Sequence, residues 1–81
     1  MMIPTVHLNG TGKHNLLSEL ETAYAAVGTA IDALRQVTVH GRDYYVQGPH
    51  AYGQARTEMD VRLDALRAVQ DDLLAMHTAI Q

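Results

Sequence analysis

The chain has 81 residues, no cysteine and a formal net charge of −3, from six basic and nine acidic residues. A single domain of this length buries only roughly 60 to 65 per cent of the surface that its unfolded form exposes, so its own core is marginal. The lack of cysteine excludes disulfides and thiolate zinc sites as additional support. The acidic balance argues against binding along a nucleic-acid polymer, which needs a concentrated positive surface.

The first ten residues predict an extended arm. Residues 1–10 contain Ile3, Thr5, Val6 and Leu8, whose β-branched or apolar side chains favour a short strand or an extended segment. The backbone of a lone strand needs a partner, so we expect the arm to lie across the helices, along the loop or on a neighbouring subunit. The arm has no secretory signal pattern, and no apolar run in the chain approaches the roughly 20 residues that cross a bilayer. We therefore expect a cytosolic protein with no membrane partner.

A glycine-rich turn, NGTGK, precedes the first predicted helix. Thr11 is the expected N-cap, because its hydroxyl can accept a hydrogen bond from the first helical turn. The turn matches the phosphate-binding pattern GxxxxGK[ST] only in part, since His7 and His14 occupy its first and last positions, and we reject a nucleoside triphosphatase. Free N–H groups beside Lys13 and His14 still make a candidate anion site. The alternative is an ordinary cap followed by a solvated lysine.

Two segments show apolar residues at helical spacing. In the first, Leu16 is followed by an apolar seam at spacings of four and three: Leu20, Tyr24, Val27, Ile31 and Leu34. In the second, the seam continues to the end of the chain: Tyr52, Ala55, Met59, Leu63, Leu66, Val69, Leu73, Met76 and Ile80. Charged residues occupy the opposite faces, as is typical of amphipathic helices.

These patterns predict an all-α fold with a single domain. It is an antiparallel two-helix hairpin with an arm at residues 1–10, helices at about 12–38 and about 49–80, and a loop at 39–48. The loop is short enough to make the helices antiparallel neighbours. One hairpin covers only one side of each apolar seam. We therefore expect a homo-oligomer, dimer or higher, in which further hairpins complete a helical bundle.

The loop sequence HGRDYYVQGPH concentrates residue types that bind ligands. Arg42 offers a planar fork for phosphate or carboxylate, and Tyr44 and Tyr45 offer ring faces for stacking. Arginine, aromatic and glycine residues together are typical of sites for nucleotide-like molecules. In the alternative interpretation, Arg42 pairs with Asp43 or caps carbonyls at the end of the first helix, and the tyrosines close the end of the bundle.

Neither a metal site nor a catalytic set is recognisable. The five histidines form no HxxxH, HExxH or histidine–carboxylate helix pair, so we expect no metal, although His40 and His50 leave an inter-subunit site open. Ser18 lies in a helix with no histidine at i+3 or i+4, where Glu21 and Thr22 are found, and the adjacent Asp71 and Asp72 diverge on their helix. We therefore expect a protein that is not an enzyme and that needs no cofactor.

Two motifs, IPTVHLNGTGK at residues 3–13 and GRDYYVQGP at residues 41–49, carry a resemblance that spans nearly the whole chain. The chain resembles a group of small phage and prophage proteins with an IPT-like arm, an HLNGT turn, a helix, a GRDYY loop followed by glycine and proline, and a second charged helix. The resemblance implies a phage origin and a location in the host cytosol. It carries no functional residue over to this chain.

Small phage proteins of this size are commonly accessory factors that blunt host defence. One kind is an oligomeric sponge that sequesters a cyclic or ADP-ribose-derived immune signal. Our leading hypothesis is such a sponge, in which Arg42, Tyr44 and Tyr45, joined by Lys13 and His14 of a neighbouring subunit, hold a small phosphorylated signalling molecule. The alternative is a protein-interaction inhibitor or assembly factor that acts through the loop or the acidic outer face of the second helix.

Overall fold

The computed structural model of the chain describes residues 1–7, 10 and 12–81. Two long helices, α1 (Lys13–Arg35) and α2 (Ala51–Ile80), pack against each other as an antiparallel pair. Within the described residues there is no strand, so the predicted all-α helical hairpin is confirmed. In that same part of the chain, neither helix has the length and apolar character needed to cross a membrane.

The N-terminal segment carries no regular secondary structure over residues 1–7, and these residues are exposed. The strand alternative is therefore not adopted there. α1 begins at Lys13, after Gly12 in the N-cap position, and the Gly12 carbonyl accepts a hydrogen bond of 2.9 Å from the Leu16 N–H. Thr11, the expected cap residue, lies outside the described residues.

α1 stops at Arg35, before the predicted boundary near residue 38. The N–H groups of Gln36 and Val37 bond back to carbonyls three residues earlier, each at 3.1 Å, which is the tighter pattern common in a last turn. The β-branched residues from Val37 to Val39 then leave the helix, because their side chains crowd the preceding turn. α2 starts at Ala51, whose N–H closes a turn onto Gly48 at 3.3 Å.

The hairpin is a narrow rod of 60 × 21 × 17 Å. Its radius of gyration is 18.3 Å, whereas a compact domain of this length has about 12 Å. Among the described residues only Leu20 and Ile31 are buried, at 8% and 7% exposure. The other seam residues are half-buried or exposed, because two helices alone cannot enclose a core.

The seam of α2 departs from its apolar pattern near the middle of the helix. Val69, which the pattern placed on the seam, is 47% exposed, and Gln70 is half-buried in its place. Continuous contact with a partner helix requires alternating steps of four and three residues. From Leu66, steps of four and three residues lead to Gln70 and then Leu73. Gln70 therefore faces α1, and Val69 points away from the contact between the helices.

Candidate ligand-binding recess at the loop end

α2 extends beyond α1 at the loop end of the rod. At the opposite end, the Lys13 Nζ donates a hydrogen bond of 3.1 Å to the Gln81 carbonyl. Gln70 contacts Gly28 and His77 contacts Glu21, so Arg35, the last residue of α1, is level with about residue 63 of α2. The first turns of α2 therefore extend beyond α1 by about 12 residues, or about 18 Å at 1.5 Å per residue. The loop folds over this overhang, because α1 has already ended.

The loop is made of two 3₁₀ turns, Gly41–Asp43 and Tyr45–Gln47. The first turn is capped by His40, whose Nδ1 accepts a hydrogen bond of 3.1 Å from the Arg42 backbone N–H. This bond uses the histidine as a structural acceptor. It also holds the Arg42 backbone while leaving its side chain available.

Gly48 turns the chain from the loop into α2. Its φ of 124° and ψ of 167° lie in a region that only glycine enters without strain. The conformation positions Pro49 and the first turn of α2 beside the 3₁₀ turns. The glycine is therefore required by the backbone path.

The loop and the overhang border an open, shallow recess of about 410 Å³. Small-molecule sites commonly have volumes of about 300–1,000 Å³, so the recess falls within that range. Six residues line it: Gly41, Arg42, Tyr45, Gly48, Pro49 and Tyr52. Arginine, two phenol rings and two glycines therefore meet at one surface.

The Arg42 guanidinium has no partner within residues 1–7, 10 and 12–81. The alternative in which it pairs with Asp43 is therefore not adopted in this structure. The salt bridge between Arg67 and Asp64 and the hydrogen bond between His77 and Glu21 lie elsewhere. An unpaired guanidinium at the wall of a recess is suited to bind an anion.

The two loop tyrosines have different environments. Tyr45 is 72% exposed and lines the recess, whereas Tyr44 is half-buried and does not line it. Tyr44 joins the two 3₁₀ turns with a φ of −120° and a ψ of −17°, so the loop is not an extended segment at this point. Of the two predicted stacking residues, the structure places Tyr45 in the recess.

Tyr52 is a recess residue that the sequence pattern assigned to the α2 seam. It lies on the overhang, where α1 no longer covers the seam, and its side chain is 38% exposed. The Arg56 Nη1 donates a hydrogen bond of 3.2 Å to the Tyr52 hydroxyl, and the Arg56 Cζ is 6.0 Å from the ring centroid. In the sequence, the only indication of this contact is that Tyr52 and Arg56 are four residues apart in a helix, a spacing at which side chains meet.

The loop end concentrates positive charge in an otherwise acidic chain. Three of the six basic residues, Arg35, Arg42 and Arg56, belong to this end, where Arg35 and Arg56 also line a neighbouring groove of about 270 Å³. Asp43, Glu58 and Asp60 are the acidic residues of this end, so three basic and three acidic residues balance there in a chain of net charge −3. An anionic ligand therefore meets less repulsion here than along the rest of the rod.

Lys13 and His14 lie at the far end of the rod. The 23 residues of α1 separate them from the loop by about 34 Å, and Lys13 binds the Gln81 carbonyl. A single copy of the chain therefore does not bring Lys13 or His14 to Arg42.

In the described part of the chain, no three His, Cys, Asp or Glu residues are grouped to hold a metal ion. His77 pairs with Glu21 at 3.1 Å between the helices, and His40 caps the first 3₁₀ turn. These two histidines have structural partners.

Comparison with protein-family models, curated proteins and solved structures finds no match to this chain. The chemistry of the recess therefore carries the functional inference.

Proposed function

We propose that the chain is a non-enzymatic binding protein that acts as a homo-oligomer and holds a small phosphorylated, nucleotide-like molecule in the loop recess. One observation carries the proposal. Arg42, whose guanidinium is unpaired among the described residues, lines the same recess as Tyr45 and Tyr52.

Each recess residue has a chemical role in this proposal. The planar fork of Arg42 donates paired hydrogen bonds to a phosphate. A base stacks on Tyr45 or Tyr52, an interaction that contributes about 1–3 kcal/mol per base in nucleic-acid-binding proteins. Gly41 and Gly48 let the ligand approach the backbone closely. Because the recess is open, Lys13 and His14 of a neighbouring subunit complete it, and Lys13 adds a further positive charge.

The resemblance to small phage proteins suggests the biological setting. The ligand is an immune signalling nucleotide of the host, and the chain is an anti-defence accessory protein that sequesters it in the host cytosol. Sequestration requires binding without turnover. The six described lining residues include no carboxylate and no imidazole, which favours binding over general acid–base catalysis.

Isothermal titration calorimetry with cyclic dinucleotides, cyclic trinucleotides and cyclic ADP-ribose isomers tests the proposal. We expect at least one ligand to bind, and Arg42→Ala to weaken it by at least about tenfold, as for the loss of one charge-assisted contact. Arg67→Ala is the matched control, because Arg67 lies on α2 away from the recess and its pair with Asp64 is solvent-exposed. Equal affinity for Arg42→Ala and the unchanged chain refutes the mechanism.

Heat release separates a sponge from an enzyme. The protein is loaded with the ligand, denatured by heat, and the supernatant is analysed by chromatography. We expect the ligand to return intact and in stoichiometric amount. A converted product would assign the chain to the enzymes.

A second candidate function is inhibition or assembly of a host or phage protein through the loop. It is favoured by two adjacent exposed apolar side chains, Tyr45 at 72% and Val46 at 74% exposure. A pull-down from host lysate then returns a stoichiometric protein partner. Val46→Asp abolishes that capture while Arg42→Ala retains it, and no nucleotide binds in calorimetry.

A further inference from the structure

The hairpin exposes more surface than a compact monomer. Its accessible area is 6134 Å², whereas a folded monomer of 8.9 kDa has about 4,800 Å². The excess is about 1,300 Å², and a stable protein–protein interface needs about 800 Å² from each partner. The surface in excess is therefore sufficient for one complete interface.

The two long flanks of the hairpin differ in polarity. One, the polar flank, contains Glu21, Gly28 and Arg35 of α1 and Asp60, Arg67 and Leu74 of α2. The Glu21–His77 pair and the Gly28–Gln70 contact lie on this side. Its charged residues are spread along the whole rod, and its exposed apolar side chains, Tyr24 and Leu74, border one small cavity near the Glu21–His77 pair.

The opposite side, the apolar flank, follows from the heptad register of the same helices. On α1 it presents Ala23, Ala26, Ala30 and Ala33, and on α2 it presents Val69, which is 47% exposed, and the half-buried Met76. Its charged residues near the middle are Arg62 and Asp72, and Glu19 and Glu58 lie towards its ends. Along α1 it carries no charge from Ala23 to Ala33, so its α1 half is an apolar surface that the hairpin leaves uncovered.

We propose that a second copy of this chain packs on the apolar flank in antiparallel orientation, around a twofold axis at the level of Ala30. Gln70 lies beside Gly28 and His77 lies beside Glu21, so Ala30 is level with residue 68 of α2. Rotation about this axis places α1 over α1 and α2 over α2. It also brings the loop of each copy to the chain ends of the other.

Self-complementary packing on α1 supports this arrangement. Ala30 faces Ala30 of the second copy, and Ala26 faces the second copy's Ala33. Small side chains at successive contacts allow two helices to approach closely. The larger side chains of α2 fill the wider half of the interface.

Charge complementarity selects the antiparallel orientation. On α2, Arg62 lies six residues before the level of the axis, which is residue 68, and Asp72 lies four residues after it. The twofold rotation brings the second copy's Asp72 to the same side of the axis as Arg62. Their positions along the rod then differ by two residues, or about 3 Å. Two such ion pairs form per dimer. In the parallel orientation α2 lies over α1, and Arg62 faces the uncharged region of Gln36 and Val37 instead.

The same axis completes the recess. Lys13 is 17 residues from Ala30, about 25 Å along the helix, and Tyr52 is 16 residues from position 68, about 24 Å. Lys13 and His14 of the second copy are therefore level with Tyr52 and the recess. The packing of the two copies is inferred from the apolar flank alone. The completion of the ligand site by Lys13 and His14 rests on the proposed function.

Single cysteines test the pairing in the ligand-free chain, which has no cysteine of its own. Under mild oxidation Ala30→Cys is expected to form a covalent dimer in non-reducing electrophoresis, because the twofold axis brings the two thiols together. Asp32→Cys is the matched control. Asp32 is exposed and lies two residues after Ala30, which is about 200° around the helix and on the side of the polar flank. Equal dimer yields for the two variants overturn the pairing.

A charge swap tests the orientation. Arg62→Asp is expected to weaken the dimer by at least about fivefold in sedimentation equilibrium, and Asp72→Arg in the same chain is expected to restore it. No rescue in the double variant overturns the antiparallel arrangement. Arg42→Ala must leave the Ala30→Cys cross-link unchanged. A cross-linked dimer that binds no nucleotide refutes the proposed function alone, whereas nucleotide binding without the cross-link refutes the pairing alone.

Discussion

The side-chain amide of Gln70 occupies the space above Gly28. The Gln70 Nε2 donates a hydrogen bond of 3.4 Å to the Tyr24 carbonyl, and an ideal Cβ on Gly28 would lie 3.0 Å from that nitrogen. The glycine therefore makes room for a polar seam residue. The pair also fixes the level of α1 against α2.

Gly28→Ala is expected to stabilise the chain less than Gly53→Ala. Both glycines are helical, and alanine gains about 0.4–1 kcal/mol where the backbone accepts it. At Gly53 no atom lies within 4 Å of the added Cβ, whereas at Gly28 the Gln70 amide has to move and loses its long hydrogen bond. Thermal unfolding of both variants measures the difference, and an equal or larger gain for Gly28→Ala would show that the contact is not tight.

Leu20→Ala is expected to destabilise the chain by about 2–5 kcal/mol, because it empties a buried position in a small core. A chain of 81 residues has a total stability of roughly 4–12 kcal/mol, so the loss is severe. Val61→Ala is the control, since Val61 is 61% exposed on α2 and alanine is the better helix former by about 0.5 kcal/mol. Urea unfolding at equal protein concentration compares them. A loss below about 1 kcal/mol for Leu20→Ala contradicts its burial.

Gly48→Ala is expected to cost about 1–3 kcal/mol, because a Cβ is strained at a φ of 124°. It should also weaken ligand binding, since Gly48 orients the overhang against the loop. Gly41→Ala is the control for stability. No atom lies within 4 Å of its added Cβ and its φ is not positive, so its unfolding free energy should change by less than about 0.5 kcal/mol. Differential scanning calorimetry of the two variants decides.

Tyr45→Ala is expected to weaken the nucleotide ligand by about 5- to 150-fold, the equivalent of one lost stacking contact. Because Tyr45 is 72% exposed, its removal should leave the unfolding free energy nearly unchanged. Tyr44→Ala should show the opposite profile, with lower stability and near-normal affinity, because Tyr44 is half-buried outside the recess. Calorimetric titration and thermal unfolding of both variants separate the two roles. Reversed profiles would assign the stacking role to Tyr44.

The helical hairpin was predictable because its signals are local. Apolar residues at steps of three and four define both helices, and the β-branched run after Arg35 and the Gly48–Pro49 pair interrupt them. The boundaries next to the loop shifted by two or three residues, since Gln36, Val37 and Ala51 bond to carbonyls three residues earlier instead of continuing the α-helical pattern. Fold class therefore followed from periodicity.

The recess was predictable only in part. Arg42 and Tyr45 were recognisable by residue type and by the flanking glycines. Tyr45 lines the recess and Tyr44 does not, because two consecutive 3₁₀ turns point them to different surroundings. Such turns have no strong sequence pattern. Lys13 and His14 were grouped with the loop by chemistry, whereas the rod holds them at its far end.

The sequence by itself determined that two amphipathic helices form an antiparallel pair around a glycine-bounded loop, because helix periodicity and helix termination depend on neighbouring residues. Only the tertiary structure decided that Gln70 replaces Val69 on the seam and that Tyr52 lines the recess. Both depend on how far one helix is displaced along the other, and α2 extends about 12 residues beyond α1 at the loop end. That displacement is set by contacts between residues some 40 to 70 positions apart, such as Gln70 with Tyr24 and Lys13 with Gln81.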